Sequence, residues 1–268
     1  FQEEGVRLSP SNLPQEGALR GQVAVVTGAA QGIGYAIARR FVQLGAKVML
    51  ADLSAEGASD AAERIRGEHA AADVAVHAGD LSEEAVAAEL HAETVRQLGT
   101  AQILINCAGG GVIRPFLEHT PETLKATIDR NLWTVLWCTR AFLPDMVAAG
   151  YGRIIHIGAD SVRNGLVHHA GYNAAKGGVH GLTTGLAREF AKSGITVNTV
   201  APCAVNTPQL EHFQKINPVL AKEFLDVIPL GRACEVDEVA SMTAYLALPE
   251  AAFVTGQVIS VNGGSAML

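Results

Sequence analysis

The chain has 268 residues, 49% of them hydrophobic and 18% charged, so it can bury the core of one sizeable domain. Its net charge of −7 comes without a basic stripe, which argues against nucleic acid and against an anionic membrane surface as partners. No apolar run approaches the ~18 residues that span a membrane and no signal peptide opens the chain, so we expect a cytoplasmic protein.

Strand-like and helical patterns alternate along most of the chain. Residues 1–20 mix charge, proline and glycine without periodicity, and we predict an N-terminal arm ahead of one domain at residues 21–268. The alternation predicts an α/β fold: a single-domain, Rossmann-like, doubly wound and mainly parallel sheet with helices on both faces. The predicted strands cover residues 23–26, 47–51, 74–78, 102–106, 153–157, 196–200 and 258–261, and the predicted helices cover 83–98, 122–148, 172–192 and 236–248.

A glycine-rich turn at residues 27–34 joins the first strand to a helical pattern. Glycines there let the backbone approach a pyrophosphate, and the N-terminus of the helix offers it unpaired N–H groups. The next strand ends at Asp52, whose carboxylate is placed to accept hydrogen bonds from a ribose diol. Strand, turn, helix and acid together predict a dinucleotide site.

Tyr172 and Lys176 are four residues apart at the start of a predicted helix, so both side chains project from one helical face. An ammonium beside a tyrosine favours the phenolate and lowers the tyrosine pKa, which suits proton transfer. Ser161, eleven residues before Tyr172, could hydrogen-bond the same substrate oxygen. By itself a Tyr-x-x-x-Lys pair is a weak signal, because such pairs also occur on helix surfaces.

Five motifs, in order, resemble those of the short-chain dehydrogenase/reductase family over residues 22–264. They are the turn T-G-x-x-x-G-I-G at residues 27–34, the pair Asp80-Leu81, the sequence N-C-A-G at residues 106–109, the set Ser161, Tyr172 and Lys176, and residues 198–202. The resemblance implies an oxidoreductase that transfers a hydride between a secondary alcohol and a nicotinamide ring, with a small molecule as substrate.

The same resemblance implies which residues contact the cofactor. They are Gly28, Gln31, Gly32, Ile33 and Gly34 at the pyrophosphate; Asp52 and Leu53 at the adenosine ribose; Asp80 and Leu81 at the adenine; Asn106, Ala108 and Gly109 at the rest of the nucleoside; and Pro202, Val205, Thr207, Tyr172 and Lys176 at the nicotinamide riboside. Cys203 stands where the family usually has glycine, so we expect a local difference in that loop.

NAD is the predicted cofactor, in preference to NADP. Asp52 would repel a 2′-phosphate, and neither the turn nor Leu53 offers a cation to compensate. The carboxylate could instead cap the following helix, and the two roles are compatible.

The catalytic set that the resemblance implies is Asn131, Ser161, Tyr172 and Lys176. The family's asparagine interrupts a helix and holds a water of a proton relay; a simple bend in the helix is the alternative role for Asn131. The family's serine commonly lies at the position that Ala159 occupies here, so Ser161 requires a different local loop. The branch that oxidises ring cis-dihydrodiols bearing a carboxylate has the shorter spacing.

Several further residues lie near the predicted site in sequence. Arg114, Arg163, His168 and His169 could line a substrate mouth that favours an anionic group, with residues 209–226 as a mobile cover. Four cysteines without C-x-x-C spacing predict reduced thiols, and no His, Cys and Asp cluster predicts a metal. Trp133 and Trp137 suggest packing or a subunit contact, and the resemblance implies a homotetramer.

Two other functions stay open from the sequence alone. An NADPH-dependent 3-oxoacyl-thioester reductase would share the motifs, although Asp52 and the negative net charge argue against it. A non-catalytic dinucleotide sensor would keep the turn, but such proteins tend to lose the tyrosine or the lysine.

Overall fold

The computed structural model describes residues 17–267, and its centre is one sheet in which every neighbouring pair of strands is parallel. The strand order is β3-β2-β1-β4-β5-β6-β7. The strands are β1 (Val23–Thr27), β2 (Lys47–Asp52), β3 (Val74–Ala78), β4 (Ile103–Asn106), β5 (Gly152–Ile157), β6 (Ile195–Pro202) and β7 (Val258–Val261). These bounds differ from the predicted ones by at most two residues.

Helices cover both faces of the sheet. They are α1 (Gly32–Gln43), α2 (Ala55–Glu68), α3 (Glu84–Gln97), α4 (Pro121–Ile128), α5 (Thr134–Ala149), α6 (Ser161–Asn164), α7 (Ala170–Phe190), α8 (Pro208–Ile216), α9 (Pro218–Asp226) and α10 (Val236–Ala247). The apolar sides of α1, α2 and α10 form one core layer, and those of α3, α5 and α7 form the other. The predicted doubly wound α/β fold is therefore confirmed.

The central strands are buried along their whole length because helices cover both faces of the sheet, although β5 and β6 also carry buried polar residues such as Arg153, His156 and Asn198. Every residue of β1, β4, β5 and β6 is buried, as expected of a parallel sheet packed between two helical layers. Phe41 from α1 and Phe142 from α5 are among the largest fully buried side chains, one in each layer.

The helix predicted at 122–148 is in fact interrupted. A π-helical turn, Asp129–Trp133, separates α4 from α5 and contains Asn131. The Asn131 side-chain amide donates to the carbonyl oxygens of Thr127 at 2.8 Å and Gly110 at 2.9 Å. These bonds tie the helix to the loop after β4, and π-helical turns are frequent at functional sites.

The N-terminal end of the described chain packs onto the core. Leu19 is fully buried and its backbone N–H donates to the carbonyl oxygen of Leu44 at 2.8 Å. Residues 1–16 of the predicted arm lie outside the described residues, whereas residues 17–20 form a turn that belongs to the packed domain. Within the described range, no helix has the length and apolar character needed to cross a membrane.

All seven strands point the same way, so their carboxyl ends meet at one edge of the sheet. Thr27 at the end of β1 accepts the backbone N–H groups of Cys107 and Ala108, at 3.0 and 2.9 Å, through its hydroxyl oxygen. The glycine turn is thereby held against the loop after β4. Ligands of doubly wound sheets bind at this edge.

Candidate active site

A cleft of about 500 Å³ opens at the carboxyl edge of the sheet. This volume is within the range of small-molecule and cofactor sites. The predicted site residues that line it are Ile33, Gly109, Ser161, Tyr172, Lys176, Pro202, Val205 and Thr207. Segments more than 170 residues apart in the chain therefore converge on one concave surface.

The glycine turn forms a cradle into which a side chain would not fit. Gly28 has φ of +66°, and a Cβ atom placed on it would lie 2.8 Å from Cα of Ala108. Gln31 occupies the N-cap of α1 without making a side-chain cap, and the first turn of α1 has no acidic residue. The first N–H groups of α1 thus suit an anionic pyrophosphate, and this part of the chain fits a dinucleotide.

Asp52 joins the turn to the start of α2. Its carboxylate accepts the backbone N–H of Ala30 at 2.9 Å and that of Ser54 at 3.1 Å. The helix cap is Ser54, whose Oγ accepts from Gly57 at 3.0 Å, so Asp52 fixes the approach to the cap. Each carboxylate oxygen keeps a second acceptor site, which suits a ribose diol. Leu53 beside it is 72% exposed, so its side chain leaves that approach open.

The loop after β3 is shaped by Asp80. Its Oδ1 accepts from the backbone N–H of Ser82 at 3.0 Å and from the Ser82 hydroxyl at 2.7 Å. Leu81 turns into the core and is 4% exposed. The groups of this loop that could contact an adenine are therefore its backbone and Oδ2 of Asp80.

Asn106 corrects one sequence-based expectation. Its side chain is buried between β4, β5 and α5. The amide Nδ2 lies 3.2 Å from Oγ1 of Thr139 and 3.1 Å from Nδ1 of His156. The side chain therefore cannot contact a nucleoside in the cleft. The neighbouring Ala108 and Gly109 are on the cleft side, beside the glycine turn and the lysine.

Lys176 is 3% exposed, and its ammonium donates to the carbonyl oxygen of Ile157 at 2.8 Å. The ammonium lies 5.9 Å from the centre of the Tyr172 ring. A Cβ atom on Gly109 would be 3.3 Å from this ammonium and 2.7 Å from Oδ1 of Asn131. Asn131 and Lys176 therefore meet at the same small residue, as a proton relay between them requires.

Burial controls the charges of this pair. It lowers the pKa of Lys176 to about 8 and raises the pKa of Tyr172 above its usual value. Desolvation of the phenol is the main cause of the raised tyrosine pKa, and the lowering of that pKa by Lys176 stays a prediction for the site filled by cofactor and substrate. The Cys107 thiol nearby has its pKa raised to about 12 by burial and is not a nucleophile.

Ser161 begins the short helix α6 and lines the cleft with Tyr172. Its hydroxyl donates to Oδ1 of Asn173 at 2.6 Å, and Nδ2 of Asn173 donates back to the Ser161 carbonyl oxygen at 2.8 Å. Ala159 also lines the cleft but has no polar group to offer. The structure therefore brings Ser161, and not the residue at the commoner spacing, to the tyrosine with a hydroxyl.

Asp160, between them, faces the opposite way. It is fully buried, and its carboxylate accepts from Ser260, Asn262 and Ser265 at 2.8 to 2.9 Å. Its role is to anchor the C-terminal segment under α6.

The predicted cationic mouth is largely wrong. Arg163 donates to the Ser260 hydroxyl at 2.7 Å and to the Val258 carbonyl at 2.8 Å, and Arg114 donates to the Glu118 carbonyl at 3.3 Å. These side chains and His168 do not line the cleft, whereas His169 does. Arg163, His168 and His169 are close to the tyrosine in sequence, but the contacts with β7 hold Arg163 away from the cleft.

The predicted cover at 209–226 consists of α8 and α9. Its inner side presents Leu210, Phe213, Ile216 and Phe224 to the cleft, and the rings of Phe213 and Phe224 stack at 5.4 Å. Thr207 caps α8 with Pro208 in the first turn, and Asn217 caps α9 before Pro218. This cap-and-proline signature could have located both helices from the sequence.

Sequence reasoning missed several other lining residues: Cys107, Gly110, Gly111, Ile113, Asn164, Leu166 and Val227. One of them, Gly111, lies against the tyrosine: a Cβ there would be 2.6 Å from its ring. Across the described part of the chain, no group of His, Cys, Asp or Glu side chains is arranged to hold a metal ion. The cleft thus combines a proton-transfer pair and a hydroxyl with apolar walls.

Comparison with known proteins identifies the family of the chain and several relatives. A profile of the family described as enoyl-(acyl carrier protein) reductase matches residues 28–266. The chain is 67% identical over 261 residues to a 2,3-dihydroxy-2,3-dihydro-p-cumate dehydrogenase of Pseudomonas putida, covering 97% of this chain and 99% of that protein. It is 35% identical to a 1,6-dihydroxycyclohexa-2,4-diene-1-carboxylate dehydrogenase of Acinetobacter baylyi, covering 91% and 95% of the two chains. A crystal structure of levodione reductase superposes with a TM-score of 0.88 at 29% identity, over 93% of this chain and all of that one.

Proposed function

The chain belongs to the short-chain dehydrogenase/reductase family of oxidoreductases, which act on CH–OH groups, and we propose that its substrate is a ring cis-dihydrodiol bearing a carboxylate, with NAD as the hydride acceptor. The observation that carries the proposal is the cleft in which Ser161 and Tyr172 face apolar walls. The candidate substrate that fits best is 2,3-dihydroxy-2,3-dihydro-p-cumate, the compound for which the relative with 67% identity to this chain is named.

The cleft's shape and lining support a substrate of this kind. Its lining combines polar residues, Ser161, His169 and Tyr172 among them, with Ile113, Leu166 and the apolar residues of the cover. A cyclohexadiene ring with an alkyl substituent can bury its apolar edge there while its hydroxyl groups stay at the tyrosine.

We infer that Tyr172 is the base. As phenolate it takes the proton of one ring hydroxyl, and the C–H bond of the same carbon breaks as its electron pair leaves with the hydrogen. Bound NAD supplies the nicotinamide ring that accepts this hydride. Ser161 hydrogen-bonds the reacting oxygen, and the tyrosine proton leaves toward solvent through Lys176 and a water held by Asn131. The product is a ring hydroxyketone, which becomes a catechol by tautomerisation.

The choice of NAD rests on Asp52. Its carboxylate lies where a 2′-phosphate would approach, and among the described residues it makes no salt bridge that would neutralise it. Repulsion between this carboxylate and a neighbouring 2′-phosphate, partly shielded from water, would weaken NADP binding by on the order of 1 kcal/mol or more.

An activity screen tests the proposal. Purified protein is mixed with the p-cumate cis-dihydrodiol and NAD, and in parallel with a 3-oxoacyl thioester and NADPH, and cofactor absorbance is followed. We expect turnover of the dihydrodiol with NAD and formation of the corresponding catechol. Rapid thioester reduction with NADPH and none of the dihydrodiol would favour the thioester reductase instead, and cofactor binding without turnover of either substrate would favour a sensor.

A homotetramer in the cytoplasm is part of the proposal. The stacked rings of Trp133 and Trp137, 5.1 Å apart, leave Trp133 40% exposed on the α4–α5 face, which suits a subunit contact. All four cysteines are unpaired, which suits a reducing compartment. Light scattering on a size-exclusion column measures the mass, and a monomeric mass would contradict the tetramer.

A further inference from the structure

A vicinal diol presents two hydroxyls, but Tyr172 and Ser161 serve only the one that is oxidised. We propose that Nε2 of His169 accepts a hydrogen bond from the second, non-reacting hydroxyl and thereby selects diols over simple alcohols. The inference rests on the proposed function and assigns a specificity-determining residue to it.

His169 occupies the right part of the cleft. It is 8% exposed, lines the cleft and lies at the N-cap of α7, three residues before Tyr172. The two rings meet edge to face with centroids 6.0 Å apart. A group that hydrogen-bonds His169 is therefore a near neighbour of one that is bound at the tyrosine.

The hydrogen-bond pattern of the imidazole fixes what it can offer. Nδ1 lies 2.8 Å from the carbonyl oxygen of Val167, and because a carbonyl only accepts, Nδ1 carries the proton. Burial lowers the pKa of His169, which keeps the ring neutral. Nε2 is then an acceptor, and none of the described residues forms a hydrogen bond with it. An acceptor suits a hydroxyl and does not suit a carboxylate.

The ring is also held in place. Phe224 of α9 packs edge to face on it at 4.8 Å and is itself stacked on Phe213 of α8. His168, the preceding residue, has φ of +65°, the single positive value among the described residues other than glycine. A strained backbone beside a ring with two fixed contacts indicates a position that the surrounding structure determines closely.

Such an acceptor discriminates strongly. A simple alcohol bound at Tyr172 would cover the cleft side of His169 without offering Nε2 a hydrogen bond, whereas a cis-diol supplies one. Sites built to hydrogen-bond a substrate hydroxyl reject analogues that lack it far more strongly than apolar pockets reject an extra group.

The test compares variants on three substrates: the p-cumate cis-dihydrodiol, a ring cis-dihydrodiol without carboxylate, and a ring secondary alcohol with a single hydroxyl. His169→Phe keeps the aromatic contacts and removes Nε2, and His169→Gln keeps a side-chain acceptor. His168→Asn is the matched control, because asparagine tolerates positive φ and position 168 does not line the cleft.

We expect His169→Phe to lower kcat/KM at least roughly tenfold for both diols and less than about threefold for the single alcohol. His169→Gln should recover part of the preference for diols, and His168→Asn should behave as the wild type. If the Phe variant does not fold, the Gln variant decides: retention of a diol preference with a shifted KM supports the inference, and loss on all substrates alike overturns it.

Other outcomes are equally decisive. An equal loss on all three substrates would give His169 a structural role, and a loss confined to the carboxylate-bearing diol would make it the acid-binding residue; either overturns the inference. A selective loss in Asn164→Ala but not in His169→Phe would transfer the role to Asn164, which lines the cleft and whose Oδ1 is buried without a hydrogen-bond partner among the described residues. A wild-type enzyme that oxidises neither diol would instead refute the proposed function.

Discussion

The ammonium of Lys176 lies 5.9 Å from the centre of the Tyr172 ring, and its hydrogen bond goes to the carbonyl oxygen of Ile157. Burial of the phenol raises the tyrosine pKa. Proton abstraction requires the phenolate, so the pKa must fall when the cleft is filled.

A titration checks this first prediction. In the protein without ligand, the phenolate absorbance that differs between wild type and Tyr172→Phe should appear only above about pH 10, because a raised pKa keeps the phenol protonated below the free value. In saturating NAD and substrate, the oxidation rate should rise with pH through an apparent pKa well below 10. A Tyr172 phenolate at neutral pH in the free protein would contradict the prediction that the tyrosine ionises only after cofactor and substrate bind.

The second prediction concerns cofactor choice. Wild-type kcat/KM should favour NAD over NADP by at least roughly tenfold, equivalent to about 1.4 kcal/mol. Asp52→Asn removes the charge but keeps an acceptor for the N–H of Ala30, so it should narrow the preference with little loss of stability. Asp52→Ala should narrow it too, with more damage to the turn. Equal use of the two cofactors by the wild type would contradict the assignment.

The third prediction separates Ser161 from its neighbours. Ser161→Ala should lower kcat by roughly 10² or more while NAD affinity, measured by cofactor fluorescence, stays near the wild-type value. Asn173→Ala should lower kcat less than Ser161→Ala does. It removes the Oδ1 atom to which the Ser161 hydroxyl donates at 2.6 Å, but it leaves that hydroxyl in the cleft. Near-normal turnover in Ser161→Ala would mean that another group orients the substrate oxygen.

Much of the fold was predictable because its signals are local. The strands are apolar runs, such as Ile103–Asn106, that hardly depend on their neighbours, and the turn at 27–34 follows directly from one of them. Helix α2 was not predicted, since it buries only small alanines and Ile65 and so shows a weak apolar stripe. Helices α8 and α9 were assigned only as a cover, although the Thr-Pro and Asn-Pro caps mark them.

Within the site, pattern located the residues but not the directions of their side chains. Tyr172, Lys176 and Ser161 converge as their spacing implied. The sequence could not show that the Asn106 side chain turns to His156, or that Arg163 turns to β7, because these partners are 50 and 95 residues away in the chain. The raised tyrosine pKa was missed for the same reason: burial depends on the whole fold.

The fourth prediction tests the base itself. Tyr172→Phe keeps the ring on which Gly111 and His169 pack but removes the hydroxyl, so turnover should be nearly abolished while NAD still binds. Tyr151→Phe is the matched control, since its hydroxyl contacts only Gln22, at 3.5 Å, at the opposite end of the sheet. More than a few per cent of normal activity in Tyr172→Phe on the true substrate would overturn the mechanism.

The last prediction concerns the loss of folding stability that results from burying the charge of Lys176. Lys176 is 3% exposed with one hydrogen bond, and burial lowers its pKa to about 8 from the usual 10.5. Below pH 8 the buried charge lowers the stability of the folded state by up to about 3 kcal/mol, since a shift of one pKa unit corresponds to about 1.4 kcal/mol. Lys176→Met, similar in length and uncharged, should therefore unfold at higher denaturant at pH 7, by roughly 1 to 3 kcal/mol, while losing activity.

The pH dependence distinguishes this cause from better packing. Between pH 8 and 10.5 the folded wild type releases the Lys176 proton before the unfolded chain does, so wild-type stability relative to the Met variant should rise over that range and the gap should close. Lys192→Met, at an exposed position, should show neither the gain nor its pH dependence. A gain in Lys176→Met that stays constant from pH 7 to 10.5 would attribute it to packing, and a loss of stability at pH 7 would show that the hydrogen bond to Ile157 outweighs the burial of the charge.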